Sequence, residues 1–194
     1  MIVLLNEAGQ EIGTAPKLAA HNHDTPLHLA FTTYAFNSDG ELLLTRRSAA
    51  KKTWPGVWTN SCCGHPAPGE QLEAAVARRV ADELGVTLVR TEVVLARVQY
   101  RAVMPNGIVE NEMGPVLRVL LDGRPRPDPA EIDQVRWVPW QQAVDMADAG
   151  VLSPWSEVTI RALVRLGADP WRWPEVDPRS AIPALAGHRR SVTS

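Results

Sequence analysis

Histidine and glutamate side chains of this 194-residue chain are spaced in a way that suits a bound divalent cation. Four of the five histidines lie near other unusual residues: His21, His23, His28 and His65. Glu110 and Glu112 alternate along a strand-like run, so both carboxylates point to one face. Imidazole favours borderline metals and carboxylate favours hard ones. Three imidazoles with these two carboxylates would therefore suit Mn²⁺, Zn²⁺ or Mg²⁺.

A helix carrying two opposite charges on one face is the second candidate feature. Apolar residues recur at helical spacing between about residues 70 and 84, namely Leu72, Val76, Val80 and Leu84, and Gly85 is a stop signal. Arg79 and Glu83 are four residues apart and share a face of this helix. Since a guanidinium suits phosphate oxygens and a carboxylate suits Mg²⁺, the pair predicts a diphosphate site. The alternative is an ordinary amphipathic helix with a solvated Arg78-Arg79 pair.

The elements that must position these groups are strands and helices, which alternate along the chain. Strand-like runs cover residues 2–5, 27–36, 41–46, 93–104, 108–121 and 135–138, and helices are predicted at about 70–84, 140–149 and 154–166. The segment from Trp54 to Pro66 has the composition of a loop that lines a site. From Pro170 onward we expect few packed apolar positions and mobile last residues. This order predicts an α/β or α+β sandwich with one mixed sheet between helical layers.

Composition and charge exclude several classes of protein. Hydrophobic residues make up 45% and charged residues 22% of the chain, which is typical of a folded domain. The net charge of −2 lacks the footprint of a non-specific nucleic-acid or anionic-membrane binder. Adjacent cysteines rarely form a disulfide with each other, so Cys62 and Cys63 indicate free thiols and a reducing compartment. With neither a signal peptide nor a membrane-length apolar run visible, we expect a cytoplasmic monomer.

The sequence resembles the type I isopentenyl-diphosphate isomerases, members of the Nudix fold group that rearrange their substrate without hydrolysing it. Gly64, Glu70, Arg78, Glu83 and Gly85 follow most of the spacing of the Nudix box. The other matching segments are 19–21, 24–25, 27–31, 45–47, 51–52, 54–61, 63–66, 100–102, 107–112 and 153–155. The resemblance covers about residues 1–165. It implies a Nudix-like α/β/α sandwich, with one domain at 1–169, its core at about 26–160, and a tail at 170–194.

The resemblance also implies two metal sites and a diphosphate clamp. The ligands of the first metal would be His21, His28, His65, Glu110 and Glu112. Glu83 would act through a second, diphosphate-bound Mg²⁺, and the residues that hold the diphosphate would be Lys17, Arg47, Lys51 and Arg79. His23 and His188 match none of these positions, and His23 is expected to be exposed to solvent.

The implied reaction interconverts isopentenyl diphosphate and dimethylallyl diphosphate. It adds a proton to a terminal carbon and removes one from C2, so it needs two acid/base groups on opposite faces of a carbocation-like species. Cys63 and Glu112 match this pair, and Tyr100 assists Glu112. Sequence leaves open which of the two protonates first, because the reaction is reversible and each group exchanges roles in the reverse direction. Our working assignment gives protonation of the alkene to Glu112 with Tyr100, and C2 deprotonation to Cys63, whose thiolate nearby cations and backbone N–H groups would favour.

Two further residues complete the expected site. The indole of Trp155 matches the residue that covers the alkenyl group, excluding water and stabilising the cation by about 1–2 kcal/mol. Alternation along an extended segment points Cys62 away from the site, so we expect it to be a packed bystander. For the other six tryptophans, core or rim packing is the expected role.

Two other functions stay open at the level of sequence. A Nudix phosphohydrolase of a diphosphate substrate would need an extra carboxylate where this chain has Arg79. A catalytically silent metal- or diphosphate-binding protein would lack Cys63 or Glu112, and both are present.

Overall fold

Strands and helices follow one another in the predicted order in the computed structural model, which describes residues 1–186. The strands are β1 (Ile2–Leu5), β2 (Glu11–Ala15), β3 (His28–Leu29), β4 (Phe31–Phe36), β5 (Glu41–Arg47), β6 (Trp58–Thr59), β7 (Cys62–Gly64), β8 (Thr87–Val103), β9 (Val109–Asp122) and β10 (Ile132–Pro139). The helices are α1 (Lys17–Ala20), α2 (Leu72–Leu84), α3 (Trp140–Asp148) and α4 (Pro154–Val164). Three 3₁₀ turns follow, at Pro170–Arg172, Pro178–Ser180 and Pro183–Leu185.

One mixed sheet joins all of these strands. Its main path runs β10-β5-β4-β9-β3-β1-β2, while β6, β7 and β8 pair with β5, β4 and β9. Strand β9 lies parallel to β3 and β4 and antiparallel to β8. The mixed sheet predicted from the sequence is confirmed.

Helices cover both faces of the sheet because its strands alternate their side chains between two cores. Phe31 and Ala35 of β4 face a core that includes Val76 and Val80 of α2. Tyr34 and Phe36 of the same strand face a second core. That second core also contains Trp140 and Ala143 of α3 and Ile160 and Leu163 of α4. The architecture is thus the predicted α/β/α sandwich.

The first long apolar run is divided where the sequence predicts one continuous strand. β3 and β4 are separate strands on either side of Ala30, and both pair with β9. A Cβ atom at Gly114 of β9 would lie 1.8 Å from the Ala30 carbonyl oxygen, so only glycine permits this approach. The division places His28 as the register partner of Glu112.

The segment after residue 170 packs more closely than predicted. Trp173, Ile182 and Leu185 are buried and belong to the two cores of the sandwich. The buried guanidinium of Arg118 donates to the carbonyl of Pro170 and pairs with Glu92. The expectation of few packed apolar positions is therefore wrong for residues 170–186, because widely spaced apolar residues give no periodic signal. The predicted mobile end and His188 lie outside the described residues.

The lengths of the helices bear on membrane association. Among residues 1–186, no helix has both the length and the apolar composition that crossing a membrane requires.

Candidate functional site

A cavity of about 440 Å³ brings the sequence-predicted site residues together. All of them except His28 line it: Lys17, His21, Arg47, Lys51, Cys63, His65, Arg79, Glu83, Tyr100, Glu110, Glu112 and Trp155. His28 is fully buried behind the wall, in contact with His65 and Glu112. Residues from both halves of the chain therefore meet at one place.

Three imidazoles and a carboxylate converge at one side of this cavity. One ligand atom from each of His21, His28, His65 and Glu112 lies within 4.8 Å of the others. Oε1 of Glu112 is 2.9 Å from Nε2 of His65 and 3.5 Å from Nε2 of His28. Oε2 of the fifth predicted ligand, Glu110, is 3.0 Å from Nε2 of His21. This donor set of imidazoles and carboxylates can hold a divalent metal ion.

Backbone carbonyls fix two of the rings in the orientation that a metal needs. Nδ1 of His21 lies 2.7 Å from the Lys17 carbonyl, and Nδ1 of His28 lies 2.9 Å from the Pro26 carbonyl. Since a carbonyl only accepts, each Nδ1 carries a proton, and Nε2 is the ring atom of each that is directed at the cluster and can bind a metal. Nε2 of His28 lies 3.2 Å from Nε2 of His65.

The third histidine and Glu110 have unused hydrogen-bonding capacity. Nδ1 of His65 is buried and forms no hydrogen bond with any described residue, and the buried Oε2 of Glu110 has its contact with Nε2 of His21. A carboxylate oxygen ordinarily accepts more than one hydrogen bond when buried, so the Glu110 carboxylate in a cluster of metal-ligating groups fits a bound cation.

Burial and charge set the ionisation of this cluster. Burial lowers the pKa of His65 to about 4, against the opposing charge of Glu112, so the imidazole is neutral at pH 7. Burial alone would raise the pKa of Glu112, but the nearby His65 and His28 outweigh it and hold that pKa well below its usual range. A deprotonated Glu112 beside a neutral His65 suits a bound metal. Although burial opposes it, the hydrogen bond and charge of Glu110 raise the pKa of His21, so this ring would give up a proton when a metal binds.

Tyr100 faces the same carboxylate from the neighbouring strand. It is the register partner of Glu112 on β8, and its phenol donates a hydrogen bond to Oε2 of Glu112. Burial and the charge of Glu112 raise the pKa of Tyr100 well above its usual value, so the phenol keeps its proton.

The thiol of Cys63 lies in a buried, polar setting on β7. Its sulfur is 3.1 Å from Nδ2 and 3.3 Å from Oδ1 of Asn60, and 3.9 Å from Oγ1 of Thr32. Burial, with the charge of Glu112 adding to it, raises the pKa of Cys63 to about 12. The expectation of a thiolate is therefore wrong for this arrangement, because burial and the nearby charge of Glu112 favour the protonated thiol.

The adjacent Cys62 is buried among Phe31 and Val76 of the core over α2, but its thiol also lines the cavity, where it contacts the carboxylate of Glu83. The expectation that Cys62 points away from the site is therefore wrong, because Glu83 of α2 reaches the cavity on that side of β7. Both cysteines are free thiols. Their side chains alternate as the extended segment requires.

Cations gather at another part of the cavity. Arg79 pairs with Glu83 on the same face of α2, and Lys51 pairs with Glu131. Nη2 of Arg79 also lies 3.6 Å from Oε1 of Glu131, while its Nε is buried without a hydrogen-bond partner among the described residues. Lys17 lines the same region. Partial loss of water, followed by repulsion from Arg79 and Lys51, lowers its pKa.

Gly64 lets the helix carry Arg79 close to the sheet. A Cβ atom there would lie 2.7 Å from Cγ of Arg79 and 2.7 Å from Cζ of Phe31. The neighbouring Arg78 turns outward instead and pairs with Glu70, its Nε donating to Oε1 at 2.8 Å. The two adjacent arginines therefore face different surroundings.

An aromatic wall connects the cationic part with the thiol. Trp155 of α4 is buried, stacks on Tyr100 at 6.1 Å between ring centroids, and lies under the Arg47 guanidinium at 5.4 Å. Trp54 meets Trp155 edge-on at 5.3 Å. Trp54 also has a φ of 44°, an unusual conformation for a bulky residue.

Sequence reasoning missed three residues of the cavity region. Asn60 contacts both Cys63 and Trp155, Glu131 pairs with two predicted diphosphate ligands, and Trp54 packs on Trp155 rather than elsewhere in the core. Asn60 lies in the matched segment 54–61, which is the signal that could have identified it. The sequence carries no such signal for Glu131, because this residue follows a loop that is far along the chain from the other residues of the site.

Comparisons with known proteins agree with this geometry. The NUDIX domain family model matches residues 26–159. A Deinococcus radiodurans structure superposes with a TM-score of 0.65 at 21% identity, covering 83% of this chain and 97% of that one. The MutT protein of Methanosarcina mazei superposes with a TM-score of 0.61 at 23% identity, covering 72% of this chain and 94% of that one. Fold and site together define a NUDIX-domain protein.

Relatives with higher sequence identity show which family within this class the chain belongs to. An "Isopentenyl-diphosphate Delta-isomerase" of Saccharopolyspora erythraea is 49% identical over 91% of this chain and 92% of its own length. Proteins of the same name from Rhizobium rhizogenes and Frankia alni are 46% and 51% identical; they cover 92% and 80% of this chain, and 87% and 81% of their own lengths. The chain belongs to the isopentenyl-diphosphate Delta-isomerase family.

Proposed function

We propose that this protein interconverts isopentenyl diphosphate and dimethylallyl diphosphate by moving the carbon–carbon double bond. The observation that carries the proposal is one cavity with a cationic part and, beside it, Cys63 and Glu112 under an aromatic wall. The names of the relatives support the same reaction.

The cationic part suits the diphosphate of the substrate. Lys17, Arg47, Lys51 and Arg79 all line it. The buried Nε of Arg79, which lacks a partner among the described residues, is a donor that a phosphate oxygen would satisfy. Glu83 pairs with Arg79. A diphosphate held by Arg79 would therefore bring its Mg²⁺ ion next to the Glu83 carboxylate, which can bind it.

The imidazole–carboxylate cluster suits a second divalent ion, Mn²⁺, Zn²⁺ or Mg²⁺. The ligands would be Nε2 of His21, His28 and His65 with the carboxylates of Glu110 and Glu112. Such an ion would hold Glu112 in place and supply positive charge beside the reacting carbons.

Cys63 and Glu112 serve as the acid/base pair. One adds a proton to the terminal alkene carbon, which leaves positive charge at the tertiary carbon, and the other takes a proton from C2. Tyr100 assists on the Glu112 side through its hydrogen bond to Oε2. Because the reaction is reversible, each group is the acid in one direction and the base in the other.

Trp155 protects the carbocation-like species from water. Its buried indole lies between Tyr100 and Trp54 and next to the Cys63 thiol in one apolar cluster. The face of an indole stabilises a cation by about 1–2 kcal/mol, and the same wall excludes the water that would otherwise add to it.

Arg79 argues against hydrolysis of a diphosphate. Attack by water on phosphorus needs carboxylates around the metal and the nucleophile, and here a buried cation occupies the helix face beside Glu83. A Cys63 thiol in the cavity has no role in that reaction. The isomerase is the better match to these side chains.

Incubation of isopentenyl diphosphate with the protein and Mg²⁺ tests the proposal, with ³¹P and ¹H NMR to identify products. We expect dimethylallyl diphosphate and no free phosphate. Release of inorganic phosphate or diphosphate would support the hydrolase instead. The two free thiols support a working site in the cytoplasm, and gel filtration tests the proposal of a monomer.

A further inference from the structure

The side-chain amide of Asn60 lies between two groups of the proposed site. Asn60 belongs to the short connection from β6 to β7 and is completely buried. Its Oδ1 accepts a hydrogen bond from the indole Nε1 of Trp155 at 3.1 Å. Its Nδ2 lies 3.1 Å from the sulfur of Cys63. One planar group thus contacts a residue of α4 and a residue of β7.

The neighbours of the amide fix which end is which. An indole N–H can only donate, so Oδ1 must face Trp155. The carbonyls of Thr33 and Cys62 can only accept, and they lie 3.1 Å and 2.9 Å from Nδ2. The amide cannot turn over without placing its donors against the indole and its acceptor against two carbonyls. Its orientation, and with it the contact to Cys63, is therefore determined.

The backbone of Asn60 has hydrogen bonds of its own. Its N–H donates to Oγ of Ser156 at 2.9 Å, and its carbonyl accepts from Oγ1 of Thr45 at 2.8 Å. The Ser156 hydroxyl also lies 3.1 Å from Oδ1 of the side chain. The amide adds to this anchoring its contacts to Cys63 and Trp155.

We infer that Asn60 is a positioning residue that holds the Cys63 sulfur and the Trp155 indole in fixed relation to each other. This inference rests on the proposed isomerase function. The Cys63 sulfur must reach the carbon with which it exchanges a proton while the indole covers the neighbouring cationic carbon, so an error in either position exposes the intermediate to water or separates the sulfur from that carbon. A single rigid amide that contacts both groups sets that relation directly.

Two substitutions of Asn60 test the inference. Asn60→Ala removes the donor and the acceptor, whereas Asn60→Asp keeps the shape and an acceptor for the indole but loses both N–H donors. We expect kcat to fall about 30- to 100-fold in both variants, since displacement of a reacting group costs rates of this size. KM should change by less than about threefold, because the diphosphate ligands are elsewhere in the cavity.

Ser156→Ala is the matched control. It removes a buried hydroxyl that contacts Asn60, Thr59 and Ser153 but neither Cys63 nor Trp155. If Asn60 only stabilises the fold, Ser156→Ala should lower kcat as much as the Asn60 variants do at a comparable loss of melting temperature. We expect its kcat to stay within about threefold of the unaltered protein.

A spectroscopic measurement follows the indole bond without any turnover. In protein labelled with ¹⁵N-tryptophan, the Trp155 indole resonance is identified by its loss in Trp155→Phe. Asn60→Ala should shift this resonance, and Ser156→Ala should leave it nearly in place. In the unaltered protein the Trp155 N–H should exchange with D₂O more slowly than that of Trp171, which is 41% exposed. The comparison of Trp155 with Trp171 uses only the unaltered protein, so it does not depend on whether a variant folds.

Unchanged kcat in the folded Asn60 variants, an unmoved Trp155 resonance in Asn60→Ala, or indole exchange as fast as that of Trp171 would overturn the inference. Failure of the unaltered protein to convert isopentenyl diphosphate would instead overturn the proposed function, while the indole measurements still report on the Asn60 bond.

Discussion

Tyr100 donates a hydrogen bond to Oε2 of Glu112, its register partner across β8 and β9. The other oxygen of the same carboxylate is 2.9 Å from Nε2 of His65. Glu112 therefore connects the cluster of metal-ligating histidines with a phenol that keeps its proton. This connection allows a proton to reach or leave the carboxylate at the side remote from the histidines.

Tyr100→Phe tests the phenol by removing one hydroxyl and keeping the ring that stacks on Trp155. We expect kcat to fall about 10- to 100-fold, at or below the roughly 10²- to 10⁴-fold contribution of a direct general acid or base, because the phenol acts through Glu112. Metal content should be unchanged, because Oε1 of Glu112 and the histidines are unaffected. Unaltered kcat, or a variant that has lost its metal, would contradict this role.

Cys63→Ala should abolish turnover while leaving fold and metal content intact, since the thiol is one half of the acid/base pair. The adjacent Cys62→Ala is the comparison: this thiol is buried over α2 and contacts Glu83 at the diphosphate side of the cavity, so its loss should lower stability by about 1 kcal/mol without abolishing turnover. Rates and melting temperatures of both variants are compared. Activity of Cys63→Ala within tenfold of the unaltered protein would remove the thiol from the mechanism.

Local patterns predicted most of the fold. Helical periodicity gave α2 from about residue 70 to Leu84, and the strand-like runs at 93–104 and 108–121 gave most of β8 and β9. The division between β3 and β4 was not predictable, because it depends on the approach of Ala30 to Gly114 from a distant strand. The packing of Trp173 and Ile182 was missed for a related reason, since isolated apolar residues show no period.

The residues of the candidate site were predictable from the sequence, but their ionisation states and charge pairs were not. Residue types and the family resemblance gave the proposed metal ligands and the proposed acid/base pair, which lie in one cavity or directly behind its wall. The protonated thiol of Cys63 could not be foreseen, because its pKa depends on burial and on the distance to the charge of Glu112. Glu131 comes from a loop whose sequence carries no signal.

His65→Ala should release the metal of the imidazole–carboxylate cluster. The substitution removes a ligand and leaves Glu112 facing fewer donors, so metal affinity should fall at least about tenfold. Elemental analysis after dialysis should then show less bound metal per protein molecule. His23→Ala is the control, because His23 is exposed and packs over Gly107 rather than in the cluster. Full metal retention by His65→Ala would remove this histidine from the ligand set.

Glu131→Gln should tighten the binding of inorganic diphosphate. The carboxylate competes with phosphate oxygens for Lys51 and Arg79, and removing one negative charge near a partly exposed site is worth about 1 kcal/mol, or about fivefold in affinity. Titration calorimetry in Mg²⁺ buffer measures this ratio. Weaker binding by the variant would show that Glu131 holds the two cations in place for the substrate.

The ratio of the diphosphate affinities of Glu131→Gln and the unaltered protein should decrease as the pH falls. Burial opposes the charge of Glu131, but the hydrogen bond and charge of Lys51 outweigh it and lower its pKa below 4.5. The difference between the two proteins should therefore be fully present above pH 4.5 and shrink as the pH falls through the lowered pKa. A difference that grows on acidification would contradict the assignment.

Conversion in deuterated water tests the central claim most directly. Isopentenyl diphosphate incubated with the protein and Mg²⁺ in D₂O should give dimethylallyl diphosphate with solvent deuterium in a methyl group, because the proton added to the terminal carbon comes from a side chain that exchanges with solvent. Dimethylallyl diphosphate without deuterium would contradict the acid/base mechanism. Unchanged substrate, or free phosphate in place of an isomer, would contradict the function itself.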